Sequence, residues 1–114
     1  MRDINMNFNE VFQLFSNSHS GTDSFKLAMN QCEEIIYLRP DQASVCFFIK
    51  EYCSTYVLRF EDQEVQPGFA KNKHMELVGY MKVLDAALET QNSRTILDAL
   101  DSVIILYTER KITE

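Results

Sequence analysis

Residues 40–60, PDQASVCFFIKEYCSTYVLRF, are apolar over a length that few local structures can accommodate. The β-branched and aromatic residues of this stretch favour strands, but a hairpin would need a turn near the middle. The segment KEYCS at that point contains no glycine, asparagine, aspartate or proline, and one unbroken strand would far exceed the usual length of about 5–6 residues. The stretch is therefore predicted to be one helix. Five of its apolar residues fall within an arc of about 80° on that helix: Val45, Ile49, Tyr52, Tyr56 and Phe60.

Helical spacing of apolar residues recurs along the rest of the chain. Asn7, followed three residues later by Glu10, has the form of a capping box and marks the start of a first helix. Pro40 ends the second helix and opens the third, because the residue before a proline is excluded from the helical region. Besides the helix over 40–60, the pattern predicts helices over residues 7–16, 23–38, 72–90 and 94–110.

The longest connection is predicted over residues 61–73, where Pro67 and Gly68 form a turn signal. The last helix is predicted to place Ile96, Leu100, Val103, Ile104 and Tyr107 on its core face.

The predicted fold class is all-α. A chain of 114 residues with only 3 glycines and 2 prolines is long enough for one core but lacks the frequent turns of a β-sandwich or barrel. Short connections favour antiparallel neighbours. The sequence therefore predicts one domain over residues 1–114, an antiparallel bundle of four main helices arranged as two αα-hairpins, with a short N-terminal helix packed across them.

The acidic composition argues against a nucleic-acid partner. The net charge is −6, and 11 basic residues are spread against 17 acidic ones, whereas phosphate binding relies on lysine and arginine. Anionic membrane surfaces are disfavoured for the same reason, and no apolar run approaches the ~20 residues that cross a bilayer. The polar start, MRDINMNFNE, lacks the apolar core of a signal peptide. A cytoplasmic location is the expectation.

The reactive residue types do not form a recognised catalytic or metal-binding pattern. Cys32, Cys46 and Cys53 lie among apolar residues and are predicted to be buried thiols in a reducing compartment. His19 and His74 have no acidic residue at the spacing of a metal-binding bundle. Folding could bring His74 near a cysteine, but thiolate formation is disfavoured in apolar surroundings. The sequence therefore predicts no enzyme, no metal and no cofactor.

One segment resembles a known repeat family. The stretch AMNQCEEIIYLRPDQA, residues 28–43, is similar to the close of a tetratricopeptide repeat, with Ala28 twelve residues before Pro40. The tryptophan, Leu-Gly pair and tyrosine of that pattern's first helix are missing, and Ile35 stands where a small residue is expected. The resemblance covers one helix end and implies a helical scaffold for protein interaction.

Two large apolar residues of the 40–60 helix lie outside its core arc. Phe47 and Leu58 fall about 20° apart on the helix, on the side of Ser54, and Cys46 and Val57 flank them. A line of exposed apolar residues is typical of an interface, and a two-fold pairing would place this helix against its own copy. These five residues are the predicted protein interface, called the α3 seam below because the helix over residues 40–60 is the third of the predicted helices.

These observations predict a non-catalytic protein that acts by contact with another protein, as an adaptor, a chaperone-like binder or an antagonist of the immunity-protein type. A homodimer is expected. The alternative is a bundle that holds a small apolar ligand or cofactor in its interior, which its 5 methionines, 8 phenylalanines and 5 tyrosines would suit.

Overall fold

The computed structural model describes residues 6–113 of the chain, and their side chains as far as Lys111. Within this range there are no strands, which confirms the all-α prediction. Five α-helices follow in order: α1 (Phe8–Ser16), α2 (Thr22–Leu38), α3 (Ala43–Phe60), α4 (Pro67–Glu89) and α5 (Ser93–Thr113). A short 3-10 turn, Pro40–Gln42, joins α2 to α3.

The apolar stretch over residues 40–60 is helical throughout, as predicted. Its first three residues form the 3-10 turn, and the α-helix begins at Ala43. Pro40 is tolerated there because the first turn of a helix has no acceptor for the N–H that proline lacks. The predicted core arc is confirmed for four of its five residues, since Val45 and Ile49 are fully buried and Tyr52 and Tyr56 nearly so. Phe60 is half-buried at the end of the helix.

The prediction for residues 61–73 is wrong in its second half. Helix α4 begins at Pro67, so the connection after α3 ends at Gln66. Pro67 and Gly68 form the first turn of the helix, where the amide of Ala70 already donates to the carbonyl of Gln66 at 3.0 Å. A proline in the first turn starts a helix as readily as it forms a turn, because its fixed φ suits both.

The core draws buried residues from all five helices into one cluster. The most extensive helix contact joins α2 to α3, and α4 packs against α1 on one side and α5 on the other. The molecule measures 40 × 36 × 21 Å, and its short dimension fits two layers of helices. The largest fully buried side chains are Phe8, Phe25, Ile35, Ile49, Leu77, Met81 and Leu84.

Helix α5 lies at the edge of this arrangement and is only partly covered. Leu100 and Val103 are buried, as predicted, but Ile104 is 42% exposed, so its assignment to the core face is wrong. The reason is that α5 packs mainly on α4. It reaches α3 through the ring of Tyr107, whose centroid lies 5.7 Å from that of Phe48.

Candidate protein-binding surfaces

The residues of the α3 seam separate into two groups. Phe47 and Leu58 are 56% and 83% exposed, and Ser54 is half-buried. Cys46 and Val57 are buried, because α2 packs closely along that side of α3. The prediction that these two residues widen an exposed seam is therefore wrong for the folded chain.

The exposed part of the α3 seam is discontinuous. Phe47 and Leu58 are eleven residues apart, which corresponds to about 16 Å along the helix axis. The exposed Glu51 and the half-buried Ser54 lie between them on the same side of the helix. Phe47 and Leu58 are therefore two separate apolar contacts with polar residues between them.

A denser group of exposed apolar side chains lies on α5. We call it the α5 apolar set: Leu97 (50% exposed), Ile104 (42%), Ile105 (57%) and Leu106 (49%). Only two large apolar residues of this helix, Leu100 and Val103, are buried among the residues whose side chains the structure describes. A helix that exposes more large apolar side chains than it buries is unusual on a monomer surface, where contiguous apolar patches are small.

The members of the α5 apolar set occupy different sides of the helix. Leu97 and Ile104 are seven residues apart, so they lie within about 20° of each other and about 10 Å apart along the axis. Ile105 lies about 80–100° away from this pair around the helix, and Leu106 lies on the opposite side. Leu97 and Ile104 therefore form a stripe that a neighbouring helix could cover.

A cleft of about 220 Å³ opens between the second half of α3, the start of α4 and the end of α5. Five aromatic rings line it. Four basic side chains and one carboxylate, that of Glu76, also line it. The rings are those of Tyr52, Tyr56, Phe60, Phe69 and Tyr107, and the basic residues are Arg59, Lys73, Arg110 and Lys111.

The carboxylate of Glu76 holds the three helices of this cleft together. Its side chain is only 7% exposed. One carboxylate oxygen accepts a hydrogen bond from the Tyr52 hydroxyl of α3 at 2.8 Å, and the other accepts one from the Arg110 guanidinium of α5 at 2.8 Å. Burial, together with the negative charge of Glu76, raises the pKa of Tyr52, so its hydroxyl remains a donor.

His74 lies in a buried site on the other side of α4, where its arrangement argues against a catalytic role. The ring stacks on Phe15 with centroids 4.3 Å apart, and Nε2 lies 2.9 Å from the carbonyl oxygen of Phe15. Since a carbonyl can only accept, Nε2 carries the proton and donates. Ser18 Oγ is 3.4 Å from the same nitrogen, but a protonated nitrogen cannot take the proton of a hydroxyl.

The three thiols are buried, as predicted. The pKa of Cys32 is raised well above its usual value by its hydrogen bond with the Cys46 thiol and by burial. Burial also raises the pKa of Cys53. A thiol must ionise to act as a nucleophile or metal ligand, so this environment keeps Cys32 and Cys53 in the unreactive form. No group of side chains among the described residues has the make-up of a metal site.

The chain matches no protein-family model, no curated protein and no solved structure. The resemblance of residues 28–43 to a tetratricopeptide repeat therefore finds no support beyond those residues. Within residues 6–113, none of the helices combines the length and the apolar character needed to cross a membrane.

Proposed function

We propose that this chain is a non-catalytic protein-contact domain that pairs with a second copy of itself through α5. The observation that carries the proposal is the stripe of Leu97 and Ile104, which are 50% and 42% exposed on one side of an edge helix. Covering this stripe removes apolar surface from water, which is the main favourable term in protein association. A two-fold pairing needs no other partner, because the same surface serves on both sides.

The charges along α5 support an antiparallel pairing with a second copy. Asp98 and Asp101 are exposed in the first half of the helix, where Arg94 pairs with Asp98 at 3.2 Å. Arg110 and Lys111 lie in the last turn. If two copies of α5 cross near Ile104 in opposite directions, the acidic half of each lies opposite the basic end of the other. Complementary charges of this kind fix the register of a contact more than they increase its affinity.

The experiment is analytical ultracentrifugation of the intact chain and of an Ile104→Glu variant. We expect a dimer for the parent chain at tens of micromolar, and a monomer for the variant with unchanged helical circular dichroism. Ser102→Glu is the matched control, because it places the same charge at an exposed position of the same helix and should leave the dimer intact. A parent chain that sediments as a monomer at this concentration would overturn the proposal.

The α3 seam is the second proposed contact surface. It is supported by the exposure of Phe47 and Leu58, 56% and 83%. We compare Phe47→Glu and Leu58→Glu with Ile104→Glu in the same sedimentation experiment. The comparison shows whether α3 or α5 forms the dimer contact. If only the α3 variants dissociate the dimer, the pairing runs through α3. If they do not, the dimer does not run through Phe47 and Leu58.

The biological role follows the same proposal: an adaptor, a chaperone-like binder or an antagonist, acting in the cytoplasm. The buried free thiols suit a reducing compartment, and the net charge of −6 argues against nucleic acid and anionic membranes as partners.

The alternative function is to hold a small apolar ligand in the interior. It predicts that the purified protein has a larger mass than the bare chain, because the ligand stays bound. A native mass spectrum of the purified protein distinguishes the two, because it reports the oligomer and any bound ligand together.

A further inference from the structure

The cleft between α3, α4 and α5 concentrates basic residues in an acidic protein. Four of the 11 lysines and arginines of the chain line it, against one carboxylate. That carboxylate, Glu76, accepts from Tyr52 and pairs with Arg110 at 2.8 Å and with Lys73 at 3.9 Å. An anion entering the cleft therefore meets Arg59 of α3 and Lys111 of α5, in addition to the two cations that pair with Glu76.

Three of the four basic side chains lie over aromatic rings of the cleft. The Arg59 guanidinium is 5.5 Å from the centre of the Phe60 ring, and the Lys73 ammonium is 5.6 Å from that of Phe69. On α5, the Lys111 ammonium is 6.0 Å from the centre of the Tyr107 ring. Cations held over rings in this way are partly ordered before a ligand arrives, so less conformational entropy is lost on binding.

The size of the cleft indicates what can enter it. At about 220 Å³ it is smaller than the roughly 300–1,000 Å³ that usually encloses a whole small-molecule ligand. It is large enough for one aromatic or branched side chain of a longer segment that continues along the surface. The ring of Phe69, which is 37% exposed, lies at the opening.

We propose that this cleft binds an acidic segment of another protein, which inserts one aromatic or large aliphatic side chain between the rings while its carboxylates pair with Arg59 and Lys111. The inserted side chain supplies the apolar contact, and the carboxylates select the partner by charge. The cleft and the proposed pairing through α5 share Arg110 and Lys111 in the last turn of α5, whereas Arg59, Phe60 and Phe69 belong to α3 and α4. Variants at Arg59 and Phe69 therefore test the cleft apart from the pairing.

The test is a fluorescence-anisotropy titration of the intact chain with a labelled peptide that has a central phenylalanine flanked on each side by two glutamates. We expect saturable binding that weakens as salt is raised from ~50 to ~500 mM, because exposed charge pairs are screened. Replacing the phenylalanine by serine, or the glutamates by glutamines, should weaken binding by about tenfold or more.

Variants of the protein locate the site. Arg59→Gln and Phe69→Ser should each weaken peptide binding by about tenfold, and neither lies on α5, so the dimer should persist in both. Arg59 is exposed, so its replacement leaves the fold intact; circular dichroism checks Phe69→Ser. Lys82→Gln is the matched control, because it removes one charge from an exposed position on α4 outside the cleft, and it should bind normally.

Three outcomes would overturn the proposal. The first is no saturable binding at millimolar peptide. The second is equal affinity for the glutamate and glutamine peptides, or an equal loss in Lys82→Gln. The third is that free phenylacetate binds as tightly as the peptide, which would assign the cleft to a small carboxylate and not to a protein segment.

Discussion

The hydroxyl of Tyr52 donates a hydrogen bond to the carboxylate of Glu76 at 2.8 Å and so ties α3 to α4. The same carboxylate accepts from Arg110, which adds α5 to the link. Because the side chain of Glu76 is 7% exposed, its carboxylate depends on these two donors for its hydrogen bonds. This one carboxylate therefore connects three consecutive helices, α3, α4 and α5.

We expect Glu76→Gln to destabilise the folded chain by about 1–3 kcal/mol, because an amide offers one acceptor oxygen and turns a donor toward either Tyr52 or Arg110. Urea unfolding followed by circular dichroism measures the loss. Glu89→Gln is the control, since Glu89 is exposed near the end of the same helix and its replacement should cost less than about 0.5 kcal/mol. Equal effects in the two variants would contradict the role given to Glu76.

Two leucines of the chain test the division between core and surface. Leu84 is fully buried on α4, and Leu58 is 83% exposed on α3. We expect Leu84→Ala to lower the free energy of unfolding by about 2–5 kcal/mol, because it leaves a cavity. Leu58→Ala should change the stability of the monomer by no more than about 0.5 kcal/mol. Denaturant unfolding at low micromolar concentration gives both values, and a larger cost for Leu58→Ala would show that something covers this residue.

The stability of the fold should depend on pH through His74. Burial lowers the pKa of this imidazole in the folded state, whereas the unfolded chain titrates near the ordinary value of about 6.5. The unfolded state therefore binds more protons between these two values, and stability falls as pH drops below about 6.5. Urea midpoints at successive pH values measure this loss.

The matched variants for this pH dependence are His19→Gln and His74→Gln. The first removes an exposed histidine and should retain the decline in stability below about pH 6.5. The second should be less stable at neutral pH, because it loses the stacking on Phe15, but its stability should decline less as the pH is lowered. An unchanged decline in His74→Gln would assign the pH dependence to other groups.

The thiols should react slowly in the native state. Cys32, Cys46 and Cys53 are all buried, and the pKa values of Cys32 and Cys53 are raised, so both access and ionisation are limited. We expect Ellman's reagent to label all three cysteines only as fast as the chain opens, and quickly in denaturant. Fast labelling of one cysteine in the native protein would show that the α2–α3 contact opens locally.

Gly79 offers a stabilising substitution. It lies in the middle of α4, is exposed, and has no atom within 4 Å of the position that a Cβ would take. Gly79→Ala should therefore stabilise the fold by about 0.5–1 kcal/mol, because alanine loses less backbone entropy in a helix. Thermal unfolding measures the gain. Gly21→Ala is the contrasting case, because its Cβ would lie 3.0 Å from the His19 ring, and no gain is expected there.

The sequence was sufficient to predict the helices because their signals are local. Helical spacing and the absence of glycine, proline, asparagine and aspartate between Gln42 and Phe60 decide the third helix without any tertiary information. The start of α4 was missed because Pro67 and Gly68 suit both a turn and a helix N-terminus. Only the packing of the helix that follows decides between these two conformations.

The surfaces were less predictable because they depend on which helix covers which side. The core arc predicted for α3 is about 80° wide. The buried residues of this helix span a wider arc, because α2 packs on one side of it and α4 on the other. Cys46 and Val57 are buried as a result. Ile104 has the spacing of a core residue, and it is exposed because no helix within the described residues covers that side of α5. The cleft escapes prediction because its residues come from three separate helices.

The attachment of α1 implies an order of events during folding. The amide of Phe8 donates to Gln42 at 2.9 Å, Asn9 donates to Asp85 at 2.9 Å, and His74 holds the carbonyl of Phe15. These partners lie 34, 76 and 59 residues away along the chain, whereas α2 and α3 are joined by a three-residue turn. Loop-closure entropy makes distant contacts slower to form. We therefore expect α2 and α3 to associate early, and the contacts of α1 with Gln42, His74 and Asp85 to form late.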